Sequence, residues 1–251
     1  MPQTKVVALP VLGRHAVNAY LLLGREPIII DAGTPGSAQL IHDQVAAHGV
    51  DPADVRLIVV THGHIDHFGS AAELSRLTGA PIAGHIADLG VYRAGRVSEP
   101  YLPIGLFGRL FARTSRVRAA TEGFEPDMLI RGETHLSDFG AEARIMPTPG
   151  HTAGSVSVLT DNGHLVAGDL VATPFLGFGT GRPANPPFHD DRLANLASLR
   201  QMLALGPTTL HIGHGAPLDP QRVSRWATAE QRRLDRLVTK GRLRTREKPA
   251  T

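Results

Sequence analysis

The feature that most constrains this chain is a β-branched apolar run, Leu57-Ile58-Val59-Val60, opening directly onto Thr61-His62-Gly63-His64-Ile65-Asp66-His67. A short run of that kind reads as a buried strand. A strand apolar on both faces belongs to a sheet that is covered on both sides. Phe68 and Gly69 turn the chain, and Ser70 to Leu77 reads as a helix. Four metal-capable side chains within six positions thus sit on the loop at the strand's C-terminal end. Open α/β sheets place their sites there.

The spacing has a physical logic. His62 and His64 are two apart, so extended backbone turns both rings to one side. Asp66 and His67 are adjacent and diverge, and a turn through Ile65 can aim them at a second point. One loop could present two imidazoles to one metal and a carboxylate plus an imidazole to another. The i, i+4 histidine pair of a helical zinc site is absent.

More ligand candidates stand at other strand ends. His151 lies in Thr148-Pro149-Gly150-His151-Thr152-Ala153-Gly154-Ser155, Asp169 follows His164-Leu165-Val166-Ala167-Gly168, and His214 lies in Leu210-His211-Ile212-Gly213-His214-Gly215. Asp31 ends Ile28-Ile29-Ile30. The pattern around them alternates strand and helix. Strands are expected at Asn18 to Leu23, Pro27 to Ile30, Pro81 to Ala83, Ala143 to Met146, Ser155 to Leu159, His164 to Ala167 and Thr208 to Ile212. Helices are expected at Ser37 to His48 and from a cap at Asp190 or Asp191 to about Leu205. Hairpins mixed with βα units suit two sheets packed face to face with helices outside.

Taken together these segments resemble the metallo-β-lactamase-fold superfamily, in its glyoxalase II-like branch. Its signature segments stand in order: Asp31, then His62/His64/Asp66/His67, then His151, Asp169 and His214, over roughly residues 5 to 220. The resemblance implies an α/β fold, a four-layer αββα sandwich of two mixed sheets with outer helices. It implies a catalytic domain over 1–220, with a variable lid insert at about 87–132, and a C-terminal helix and basic tail over 221–251 in the same domain. It also implies a two-metal site. His62, His64 and His151 would hold the first metal, Asp66, His67 and His214 the second, and Asp169 would bridge them. Asp31 would orient the ligand loop, and Asp66 would also orient or deprotonate the attacking water.

Imidazole and carboxylate suit Zn²⁺, at roughly 2.0–2.2 Å, and also Fe or Mn. Two metals about 3.5–4 Å apart can share one hydroxide and bring its pKa toward neutrality. The expected reaction is hydrolysis of a small ester-like substrate: a thioester, a lactone or another carboxylic ester. β-Lactam hydrolysis, phosphodiester hydrolysis and mononuclear iron redox chemistry on the same scaffold are the alternatives. The remaining histidines, His15, His42, His48, His85, His135, His164, His189 and His211, read as surface or structural, with His189 in a pocket loop.

Two irregular stretches are expected to shape that pocket. The first carries Phe107 and Phe111, one helical turn apart, among Arg109, Arg113, Arg116 and Arg118. It reads equally as a lid over an acyl or anionic group and as a packing helix. The second, Thr173 to Pro187 and on to His189, offers Phe175, Phe178, Phe188, Arg182 and His189. Long loops of this kind are often functional.

Charge is uneven. Residues 221–251 hold 10 Lys/Arg and 3 Asp/Glu, net +7, and the remaining 16 basic and 20 acidic residues net −4. Val223, Trp226, Glu230, Leu234 and Leu237/Val238 recur at helical spacing, so a docked helix is expected there. The basic residues beyond it read as solvated, not as a nucleic-acid or membrane contact. The tail does not match the helical glutathione-binding domain of true glyoxalase II. No run reaches the roughly 18 apolar residues of a membrane span. The chain has no Cys, so disulfides and thiolate ligands are excluded. Without a recognisable export signal, the expectation is a cytoplasmic enzyme with a small-molecule substrate.

Overall fold

The computed structural model describes residues 3–97, 102–114, 119–174 and 181–241. Tyr101, Arg116, Arg118, Phe175, Phe178 and the side chain of Phe111 lie outside the described residues.

Two mixed sheets form in chain order. The first runs β1 (Lys5–Leu12), β2 (Val17–Leu23), β3 (Pro27–Ile30), β4 (Leu57–Val59), β5 (Ile82–His85) and β6 (Met128–Ile130). Its first three strands are antiparallel, and β3 to β6 are parallel. The second sheet has the order β11 (Thr209–His211), β10 (His164–Val166), β9 (Val156–Thr160), β8 (Ala143–Pro147) and β7 (Thr134–His135). Only β10 and β11 are parallel in it.

The period-two alternation of strands sorts the apolar residues into three layers. Leu22, Ile28, Ile30, Leu57 and Val59 meet Ile145, Val156, Val158 and Val166 between the sheets. Their alternates Leu21, Ile29 and Ile58 face α1 (Ala38–Ala47) and α3 (Ala71–Thr78) through Ile41, Val45 and Leu74. On the far side Leu159, Leu165 and Leu210 pack on α6 (Arg192–Ala204) and α7 (Pro220–Thr239) through Leu196, Leu199, Val223 and Leu234. The result is the expected αββα sandwich, with β3 and β4 apolar on both faces because both faces are covered.

Some elements escape the sequence pattern. No strand is expected before Asn18, yet β1 forms; it is an edge strand, where Pro10 is tolerated, and a bulge falls between Pro10 and Leu12. β6 and β7 are too short to show alternation. The loop after β4 is not irregular throughout: Ile65–Phe68 makes one helical turn, α2, and this turn aims Asp66 and His67. The described parts of the stretch at 87–132 carry regular elements. Its first part, α4 (Leu89–Ala94), buries Tyr92 against Phe68 and Phe124, and its last part is β6. Between them α5 (Gly105–Phe111) lies over the loop at 184–189.

Asp191, of the two offered caps, starts α6: its Oδ1 accepts from the Leu193 and Ala194 amides at 2.9 Å. α7 carries one polar residue on its inner face. Glu230 is buried, but Oε1 accepts from Arg192 and Asn185, both at 2.9 Å, and Oε2 from Arg233 at 3.3 Å. That charge is compensated, and it ties α7 to α6 and to the loop at 181–190.

Candidate metal centre

The C-terminal ends of strands from both sheets converge at one edge of the sandwich. The loop after β4 brings His62, His64, Asp66 and His67; the β8–β9 turn brings His151; the turns after β10 and β11 bring Asp169 and His214. These seven side chains form three overlapping triads: His62/His64/His151, His62/His67/Asp169 and Asp66/His67/His214. Within each triad the ligand atoms lie within 4.8 Å of one another. His214 Nε2 stands 3.1 Å from Asp169 Oδ2 and 3.3 Å from Asp66 Oδ2. His151 Nε2 is 3.5 Å from Asp169 Oδ2 and 2.8 Å from His64 Nδ1.

The outer hydrogen bonds fix which nitrogen of each ring faces inward. Thr61 Oγ1 donates to Asp31 Oδ2 at 2.9 Å, so it accepts from His62 Nδ1 at 3.0 Å. His67 Nδ1 donates to Asp31 Oδ2 at 2.8 Å, and His214 Nδ1 donates to the Ala16 carbonyl. His151 Nδ1 meets His189 Nδ1 at 3.1 Å. In His62, His67 and His214 the outward contact occupies Nδ1, so Nε2 is the nitrogen turned to the centre, and His151 has the same orientation with its Nδ1 on His189. His62 Nε2, His67 Nε2 and Asp169 Oδ1 are buried without a hydrogen-bond partner. Buried polar atoms are almost always satisfied, and three such atoms on one point fit a cation held between them.

Electrostatics agree. Burial, then the neighbouring imidazoles, keep His62 neutral well below its ordinary pKa of 6.5. Burial likewise lowers His151, and it lowers His64 to about 4. Burial opposes protonation of His67, but the Asp31 and Asp169 carboxylates outweigh it and raise that ring to about 9. His214 is raised by Asp169 and Asp66 against the same burial penalty. Burial also opposes ionisation of Asp169, yet His214 and His67 hold it well below the usual carboxylate range. The centre thus offers ionised carboxylates beside three neutral imidazoles, His62, His64 and His151, while His67 and His214 each hold a proton whose positive charge a bound cation would replace.

The second β-strand steadies the far loop. Asn18 Nδ2 donates to the carbonyls of Ile212 and Gly215 at 3.0 and 2.9 Å, and Tyr20 Oη to Ile212 at 2.7 Å. Gly213 must be glycine: a Cβ there would fall 2.3 Å from Asp169 Oδ1 and 2.6 Å from His67 Cε1.

The pocket candidates divide. Phe107 is partly exposed on α5, and Arg182 is exposed. His189 is buried, its Nδ1 3.1 Å from His151 Nδ1, with its pKa lowered by burial to about 3. Phe188 is buried with its ring edge-on to His64. Asp88 and Thr61 carry no metal-ligand signal in the sequence, yet both hold the ligand loops. His164 and His211 pair with each other at 3.1 Å, away from the cluster's hydrogen bonds.

Residues 12–214 match the family model described as the metallo-beta-lactamase superfamily. A probable metallo-hydrolase of Methanocaldococcus jannaschii is 28% identical over 203 residues, 80% of this chain and 88% of that protein. A hydroxyacylglutathione hydrolase of Anaeromyxobacter dehalogenans is 30% identical over 159 residues, and the match spans 63% of this chain but only 47% of that protein. Among solved structures, Rm3 metallo-beta-lactamase superposes with a TM-score of 0.68 over 96% of this chain and 93% of its own, at 21% identity, a likeness of fold. With the fold, the ordered ligand segments and these relatives in agreement, the chain belongs to the metallo-beta-lactamase superfamily, with glyoxalase II-type hydroxyacylglutathione hydrolases among its relatives.

Proposed function

We propose that this chain is a hydrolase carrying two metal ions, zinc in the first instance, and that it cleaves a small carboxylic ester, thioester or lactone. His62, His64 and His151 would hold one ion, Asp66, His67 and His214 the other, and Asp169 would span the two. The observation that carries the reading is the convergence of three buried atoms that lack a hydrogen bond, His62 Nε2, His67 Nε2 and Asp169 Oδ1. The triad of His62, His67 and Asp169 draws on both ligand sets, as a bridging carboxylate requires.

When bound, such a pair supplies Lewis acidity that makes water nucleophilic at neutral pH and stabilises charge on the attacked carbonyl. The chain's own residues do the rest. Asp66 is the most open of the three carboxylates in and around the cluster, its side chain 28% exposed against 3% for Asp169 and 2% for Asp31. It can therefore accept a hydrogen bond from the attacking water and orient it, while burial is outweighed by His214 and His67, which hold its carboxyl ionised. Asp31 holds His67 and Thr61, and through Thr61 it orients His62.

The acyl side of the substrate is supported by α5. Ile104 N donates to the Pro187 carbonyl at 2.7 Å and His189 N to Leu102 at 3.3 Å, so this helix is tied to the loop that sets Phe188 against His64. Leu102, Leu106, Phe107 and Leu110 are exposed there. That surface suits an apolar acyl group better than a phosphodiester.

Zinc-loaded protein should be assayed against acyl thioesters, lactones, aryl esters, a phosphodiester and a β-lactam, with a chelator control. Chelator-sensitive turnover of the carboxylic esters, lost in His62→Ala, is the expected result. Preference for the phosphodiester, or turnover indifferent to chelator, overturns the reading.

A further inference from the structure

Asp88 lies outside every segment that announces the metal cluster. It ends the helical turn Ile86–Asp88, after β5 and before α4. Its side chain is buried, 4% exposed. Oδ2 accepts from the Gly63 amide and from Thr152 Oγ1, each at 2.7 Å, and Oδ1 accepts from the Gly154 amide at 2.9 Å. Gly63 separates His62 from His64, and Thr152 follows His151 directly. One carboxylate therefore joins two ligand loops that come from different sheets.

The fit is close on both sides. A Cβ on Gly154 would fall 2.5 Å from Asp88 Cγ, and one on Gly63 would fall 3.1 Å from Oδ2. A side chain at 154 would clash with this carboxylate, and one at 63 would press on it. Thr152 is itself held by Ser155, whose Oγ lies 2.9 Å from Thr152 Oγ1 and accepts from the Thr152 amide at 2.9 Å. Among the described residues, the hydrogen bonds of Asp88 reach no part of the Asp66/His67/His214 set.

We propose that Asp88 is a positioning residue: it sets the spacing of the two loops that carry His62, His64 and His151, and so the affinity of that one metal position. The proposal rests on the two-metal reading above. Outer groups that orient ligands typically contribute about 10–100-fold to metal affinity. Here the effect should fall on one of two ions, which a general loss of folding would not produce.

The test is chelator competition on zinc-loaded wild type and Asp88→Asn, counting zinc per chain. Asp88→Asn keeps the volume but places an NH₂ opposite one of the amide donors. One zinc should be released at about 10–100-fold lower chelator strength, and the other should keep its wild-type affinity. In a His151→Ala background, Asp88→Asn should no longer change the remaining zinc. Amide exchange at Gly63 and Gly154 should accelerate together in Asp88→Asn. Should that variant fail to fold, Thr152→Val removes one donor and should weaken the same zinc, by less. Equal weakening of both ions, or of neither, overturns the role of Asp88. A wild type that takes up no zinc overturns the two-metal reading itself.

Discussion

Asp31 shows what the chain concedes to place one carboxylate. Among the described residues it is the only non-glycine with positive φ, at 66°. Left-handed backbone costs an ordinary L-residue about 1–2 kcal/mol, and Asp tolerates it better than most. In return the carboxylate receives the Thr61 amide at 2.7 Å, the Thr61 hydroxyl and His67 Nδ1. Asp31→Asn keeps the backbone preference but loses the charge and one acceptor. It should lower zinc affinity about 10–100-fold, read by chelator competition; unchanged affinity would remove Asp31 from the ligand-orienting set. A second residue, outside the cluster, contributes to behaviour in acid. Burial, then His164, lower His211 from 6.5 to about 4. Below about pH 6.5 the unfolded chain takes up a proton that the folded chain refuses. Its contribution is therefore intact above pH 6.5 and falls away toward pH 4, at a slope approaching about 1.4 kcal/mol per unit. Urea unfolding at pH 7 and pH 5 should show a smaller acid loss in His211→Gln than in wild type. Equal losses would assign that acid limb to another group.

Among the elements, α7 is held by more than its apolar face. Glu230 sits where the helical pattern calls for an apolar residue, and Arg192, Asn185 and Arg233 explain it. Removing one partner of a buried pair strands the other, so Glu230→Ala should cost about 3 kcal/mol of stability. Zinc content should stay unchanged, because none of the seven cluster residues touches Glu230. Thermal unfolding with zinc analysis checks both parts. From sequence alone Glu230 is a break in an apolar stripe, and its partners lie 38 and 45 residues away or on the next turn. Asp88 is illegible for the same reason: its donors lie 25 to 66 residues off, and nothing local marks it. β3 and β4 are legible because their faces are apolar in an unbroken run. β1 is not, because an edge strand with Pro10 satisfies weaker rules. α2 spans four residues, too few for a helical period to show.

For the whole molecule, the order of ligand segments was readable because each follows a strand, and strand ends of two stacked sheets meet at one edge. His62 to His67 come from the first sheet, and His151, Asp169 and His214 from the second. A bound metal pair would thus tie the two halves of the sandwich together. The surroundings of the substrate are less readable, because they depend on how α5 seats on the loop at 184–189. Sequence places His189 in a pocket loop; packing sets its Nδ1 3.1 Å from His151 Nδ1. No helix among the described residues is long and apolar enough to cross a membrane. The measurement that bears most directly on the two-metal centre is zinc per chain after loading and exhaustive dialysis, for wild type, His62→Ala and Asp169→Ala. Two zinc ions in wild type and at most one in each variant is the expected result. Equal zinc in all three, or none in wild type, would contradict it.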